Sequence, residues 1–295
     1  MSERPTVRPV TLPRLVEVTN ACADGAMTTD DLETALDVSH RRARETTLEA
    51  VRIGLLCEHG SSSDADAYET TTDGATFLDA VRSEAWYRVS DVLRENSPHY
   101  RAFLQTVDDV GPATPEEVLR RLEERHDGDG YAFNETSLDV LGDWGERLGA
   151  IQRNAFTGAY YRVMPLEDGS DFPAVLLSVF TDLEETAGVD LNQRYLSIPE
   201  LREHTCKRLR CPRETFDDAL LTLVGQNVGR IELSGAPMDT GAKDAALGIK
   251  QIDLTSSDGL VSTDQSTERV MAGVEQYGKQ YYYLAVHDDD LTYDP

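Results

Sequence analysis

The strongest constraint on this fold is a helix-start signature that occurs three times. Thr28 with Asp31, Thr114 with Glu117 and Ser197 with Glu200 each set a hydroxyl residue three positions ahead of an acid. At that spacing the hydroxyl accepts from the backbone N–H of the third helical residue, and the acid reaches back to the N–H of the capping residue. Pro115 and Pro199 stand near two of these starts, where a missing N–H costs nothing. The helices that follow are short. Short helices are marginal alone, so they must be stabilised by packing against one another.

Around the first signature, "LPRLVEVTNACADG" has helical spacing and stops at Gly25, and "MTTDDLETALDV" is a short helix. Ser39 is a plausible N-cap for "HRRARETTLEAVRIGLL". There Ala43, Thr47, Ala50, Val51 and Gly54 share one side, and Arg41, Arg42, Glu45, Glu49 and Arg52 the other. "LLCEHG" and "AYETTTDG" read as strands about the polar loop Gly60–Asp66. Residues 76–95 read as one longer helix. The order returns in "HYRAFLQTVDDVG", "TPEEVLRRLEERH", a helix starting at Asn134 or Thr136, and the hairpin "FTGAYYRVMPL". It returns again in "FPAVLLSVFTDLEETAG", "SIPELREHTCKRL", "CPRETFDDALLTLVGQN" and "GRIELSG", with an insertion, 235–280, before the strand "YYYLAVHD".

Three helices followed by a hairpin resemble the winged-helix fold. "DLETALDVSHRRARETTLEAVRIGLL" looks like a helix-turn-helix, and "YETTTDG", Tyr68 to Gly74, resembles the strand and turn that close the wing in many archaeal and bacterial regulators. The resemblance is to tandem winged-helix (winged helix-turn-helix) DNA-binding proteins of the kind found among archaeal transcriptional regulators. It implies a mainly α fold with small β wings (α+β) in three tandem winged-helix-like domains. These would be an N-terminal winged helix at 11–78, a second unit at 97–168 and a third at 169–287. A disordered lead-in (1–10), a connecting helix (79–96) and an acidic tail (288–295) complete the division.

Charge bears on the partners. Acidic residues outnumber basic ones 54 to 28, giving a net charge of −26, and only Lys207, Lys243, Lys250 and Lys279 are lysines. Acid spread along the chain with lysine depleted looks like a cytosolic protein of an extreme halophile. An ordinary acidic protein kept soluble by its charge is the alternative. Net charge then reports the solvent and does not exclude an anionic partner. No apolar run approaches a membrane span. The four cysteines form no CxxC pair, so a reduced, cytoplasmic chain is expected.

The sequence holds no GxxxxGK[ST], HExxH or GxSxG. His204, Cys206 and Cys211 lack a fourth zinc ligand and read as thiols buried beside a helix boundary. No enzyme, cofactor or metal is expected. The informative stretch is "SHRRARET". In a winged helix its His40, Arg41, Arg42 and Arg44 would enter the major groove, where arginine forks guanine O6 and N7 or binds phosphate, with Arg52 further along. Positive charge opposes the dipole at a helix N-terminus, which hints at an external anion. The competing reading is a solvated face with Arg41 paired to Glu45.

A second run, "KRLRCPR", places Lys207, Arg208, Arg210 and Arg213 at a second DNA contact, an acidic partner's docking site or a solvated turn. Tyr281, Tyr282 and Tyr283 belong to a strand with both faces covered, by the insertion (Ile249, Ile252 and Leu254) or by a second subunit. The expected function is double-stranded DNA binding by a transcriptional regulator of a halophilic archaeon. The alternative is a winged-helix adaptor in a chromosome-organising, replication or defence complex, with a homodimer or protein partner on the third domain.

Overall fold

All three helix-start signatures cap helices. Thr28 Oγ1 accepts from the Asp31 N–H at 3.3 Å and Asp31 Oδ2 from the Thr28 N–H at 3.0 Å. Thr114 and Glu117 repeat the exchange at 3.3 and 3.0 Å. Ser197 Oγ accepts from the Glu200 N–H at 3.4 Å. The computed structural model describes residues 5–59, 66–128, 130–166, 171–186, 195–235 and 267–295.

The first trio is α1 (Leu12–Ala21), α2 (Thr29–Leu36) and α3 (His40–Arg52), with β1 (Met27–Thr28) before α2 and β2 (Leu56–His59) and β3 (Ala67–Thr70) after α3. Leu12, Leu15 and Val18 of α1 and Ala43, Thr47 and Ala50 of α3 are buried, and the two helices pack together. Each large apolar side chain buried this way contributes roughly 1.5–3 kcal/mol. The strands form an antiparallel sheet in the order β1-β3-β2, with Cys57 opposite Glu69. Of the expected wing tip, residues 60–65 lie outside the described residues.

The single helix expected over 76–95 is two: α4 (Thr72–Arg82) and α5 (Trp86–Asn96). Glu84 takes the left-handed conformation (φ 54°), and the N–H groups of Glu84 and Ala85 return to the carbonyls of Val81 and Ala80. This corner closes the last turn of α4 and lets α5 fold back onto it, so that Phe77, Leu78, Val89 and Leu93 are all buried.

The second trio is α6 (Pro98–Val110), α7 (Pro115–Arg125) and α8 (Glu135–Arg147), followed by the hairpin β4 (Ile151–Arg153) and β5 (Tyr160–Arg162). Asn134 caps α8. The exits of α3 and α8 are built alike. Gly54 (φ 72°) and Gly149 (φ 65°) take the left-handed position, and the next N–H, of Leu55 or Ala150, returns to the carbonyl five residues back.

The third trio is α9 (Phe172–Thr186), α10 (Ile198–Leu209) and α11 (Arg213–Gln226), with β6 (Leu196–Ser197) before α10 and β7 (Ile231–Ser234) after α11. The strand expected from "YYYLAVHD" is β10 (Tyr283–Val286), antiparallel to β7 with Leu284 opposite Leu233. Its sheet order, β6-β10-β7, repeats that of the first trio. Leu284 belongs to a core with Phe180, Leu220 and Leu223. Most of the insertion, including Ile249, Ile252 and Leu254, lies outside the described residues. Its described end forms α12 (Thr267–Val270), β8 (Val274–Gln276) and β9 (Lys279–Tyr281).

The class is thus mainly helical with small antiparallel sheets. The described residues separate into two compact units, one ending at Ile151 and the other beginning at Gln152. The first holds two trios, and the boundary falls within β4, inside the span expected as a second domain.

Two outlying segments are packed: the described part (5–10) of the lead-in expected to be disordered, and the acidic tail. In the first unit Val7 and Val10 are buried, Val10 O accepts from Trp144 Nε1 at 3.0 Å, and Pro5 O accepts from the Ala132 N–H at 2.7 Å. In the second, the acidic stretch 288–295 runs along the end of α11. The Asn227 side chain exchanges two hydrogen bonds with the Thr292 backbone, and Tyr293 stacks 5.7 Å from Phe172. Backbone groups that find protein partners need no free solvent.

Candidate nucleic-acid interface

Helix α3 begins where Ser39 Oγ accepts from the Arg42 N–H at 3.4 Å. Its inward side seats Ala43, Thr46, Thr47 and Ala50, which leaves His40, Arg41, Arg42 and Arg44 exposed. Arg41 Nε pairs with Glu45 Oε1 at 3.1 Å, as the solvated-face reading requires. Among the described residues, Arg42 and Arg44 have no ion-pair partner. His40 Nε2 lies 3.3 Å from Asp30 Oδ1. With Glu33 these two gather donor atoms within 4.8 Å, the one group among the described residues able to hold a metal ion.

Arg52 does not join this surface, and Glu49 does not face solvent. The Glu49 side chain is fully buried, held by Arg52 Nε at 3.1 Å, by Arg8 Nη1 at 3.4 Å and by the Arg8 N–H at 3.3 Å. Arg52 also donates to His99 Nδ1 at 2.8 Å, and His99 Nε2 donates to Pro5 O at 2.8 Å. Arg52 is therefore spent on a buried carboxylate and drops out of the expected DNA contacts. Burial, then the Arg52 guanidinium, holds the His99 imidazole below its ordinary range. Sequence reasoning missed this network because Arg8 and His99 stand 41 and 47 residues from the partners they meet.

The second basic run does not form one surface. Arg213 is buried and grips Glu203 with two nitrogens, at 2.5 and 3.0 Å. Its remaining donors reach Arg153 O and its N–H reaches Gln152 Oε1. Glu203 also accepts from the Ala155 N–H at 2.7 Å. Arg213 is thus a structural residue of the second unit. Arg208 is committed to Asp182 and to Ser178 Oγ. Lys207 and Arg210 have no ion-pair partner among the described residues.

The helices in positions equivalent to α3 are acidic outside: Glu135 and Asp139 on α8, Glu214 and Asp218 on α11. The tyrosines expected at an interface divide. Tyr281 and Tyr283 are half-buried, but Tyr282 is only 3 % exposed, its ring 4.9 Å from that of Tyr283. Tyr282 belongs to the interior: it sits between β9 and β10, where its N–H donates to Ser234 O at 3.2 Å and its carbonyl accepts from the Ile198 N–H at 2.8 Å.

No family model and no curated protein matches the chain.

Proposed function

We propose that the chain binds double-stranded DNA through the N-terminal turns of α3 and acts as a transcriptional regulator. In this reading each trio is a winged-helix-like domain, only the first contacts DNA, and the acidic surface reflects a halophilic cytoplasm. The carrying observation is the pair Arg42 and Arg44. They stand exposed, and without an ion-pair partner among the described residues, at the positive end of a helix dipole, in a chain with acid to spare for neutralising them. Arginines left so are available to fork a guanine or bind phosphate. Footprinting with the full chain at its working salt tests this. Arg42→Ala and Arg44→Ala should each weaken specific binding by about 1–3 kcal/mol, or relax one position of the site. Arg208→Ala should change nothing. Unchanged affinity in both α3 variants sinks the proposal.

A second reading, a non-enzymatic adaptor, is favoured by one observation: the acidic outer faces of α8 and α11 suit a protein partner better than DNA. Binding of a partner that survives Arg42→Ala would support it.

A further inference from the structure

The basic run at the corner of α10 and α11 surrounds two sulfurs. Cys206 lies in the last turn of α10, Cys211 just beyond it, and their Sγ atoms are 3.9 Å apart. Both thiols are free and buried. The corner already holds the two residues together, because the Arg210 and Cys211 N–H groups both return to the Cys206 carbonyl. Closing the remaining gap to a sulfur–sulfur bond therefore needs side-chain motion and little backbone motion. The other two cysteines are apart from this pair: Cys22 is buried in the first unit and Cys57 is half-buried on β2.

Part of the charge around the pair is left without an ion partner. Lys207, Arg208, Arg210 and Arg213 fall within seven positions across the corner; Arg208 and Arg213 are held by Asp182 and Glu203, and Lys207 and Arg210 carry no ion pair among the described residues. A positive setting is what promotes the thiolate, the reactive form. The His204 imidazole, on the same helix, is held low by burial and then by Lys207. The Cys206 thiol, the first cause acting on Cys211, holds the Cys211 thiol below its ordinary range, while burial pushes Cys206 up.

We propose that the α10–α11 corner is a redox modification site, at which Cys206 and Cys211 close into an intrachain disulfide in response to a peroxide. The Cys211 thiolate attacks one peroxide oxygen. The O–O bond breaks, Cys211 becomes a sulfenic acid, and the other oxygen leaves as water or an alcohol after taking up a proton. The Cys206 sulfur then attacks the sulfenic sulfur, and its proton leaves with the hydroxyl as a second water. Two thiols are oxidised and one peroxide is reduced. Because both sulfurs are buried, the oxidant must be small and the rate is set by local opening of the corner.

The test uses the full reduced chain treated with hydrogen peroxide, followed by thiol counting, intact mass and peptide mapping without reductant. The expected result is loss of two of the four thiols, a mass lower by about 2 Da per bridge, and a peptide joining Cys206 to Cys211. Dithiothreitol should restore all four thiols. Cys211→Ser should abolish the change, and Cys22→Ser should leave it intact. Retention of four thiols by the native chain would overturn the proposal. So would a bridge that maps to Cys57 between two copies, or stable sulfenic acid without a bridge. The parent chain alone decides the matter if a variant fails to fold.

Discussion

Arg42 and Arg52 lie on the same helix and carry the same charge, yet their loss should read out in different experiments. Arg42 is exposed and unpaired, so Arg42→Ala should leave the urea midpoint within about 0.5 kcal/mol of the parent while weakening DNA binding. Arg52→Ala strands the buried Glu49, a change that typically costs about 3–5 kcal/mol. The lower end is expected, since Arg8 keeps its contact with Glu49. The same network makes stability depend on pH. Arg52 donates to His99 Nδ1, so the native imidazole is neutral with its proton on Nε2. Its folded value lies below the ordinary 6.5, so the unfolded chain takes up a proton first as pH falls. The stability it contributes is complete above about pH 6.5 and is lost as pH drops through the folded value. Urea titrations across that range should show the loss, and His99→Gln should flatten it. An unchanged slope in the variant would assign the effect elsewhere.

At the scale of elements, the matched exits of α3 and α8 give a paired prediction. Gly54→Ala and Gly149→Ala each force a side chain into the left-handed region and should lower stability by roughly 1 kcal/mol, measured as a shift in midpoint at constant slope. These exits also show what was legible in the sequence. Caps at Thr28, Ser39, Thr114 and Ser197 are local signals, read within a turn of chain, so the helix starts could be placed from them, whereas Gly54 and Gly149 were counted inside the helices they end. The break between α4 and α5 was not legible, because Glu84 carries no sequence mark of the left-handed position it adopts. The buried Glu49 and Glu203 were illegible for another reason. On a helical wheel Glu49 looks solvated, and its burial is made tolerable by Arg52 one turn on together with Arg8, 41 residues away. Arg213 likewise read as part of a basic surface until its partner Glu203 was seen on the adjoining helix. Of the DNA-contact set, Arg42 and Arg44 kept their expected exposure, and Arg52 was lost to Glu49 at i,i+3 and to His99, 47 residues away.

For the whole molecule the first consequence is a salt dependence. With a net charge of −26 and few exposed unpaired arginines, little counterion release can drive binding. At ~1 M salt the Debye length is about 3 Å, so recognition must rest on close contacts. A titration from low to molar salt should give a shallow slope, and a steep uninterrupted loss of specific binding would contradict this. The second consequence concerns time. In both three-stranded sheets the middle strand is the last to be made: β3 joins β1 and β2, and β10 joins β6 and β7. During synthesis at about 5–20 residues per second, the first sheet can close within seconds of the emergence of Thr70. The other must wait, its two outer strands without a partner between them, until residues 283–286 leave the ribosome. Leu196, Ile231 and the α9 apolar face are held open through that interval, so nascent chains arrested before residue 283 should be cut by protease in the second unit while the first trio resists.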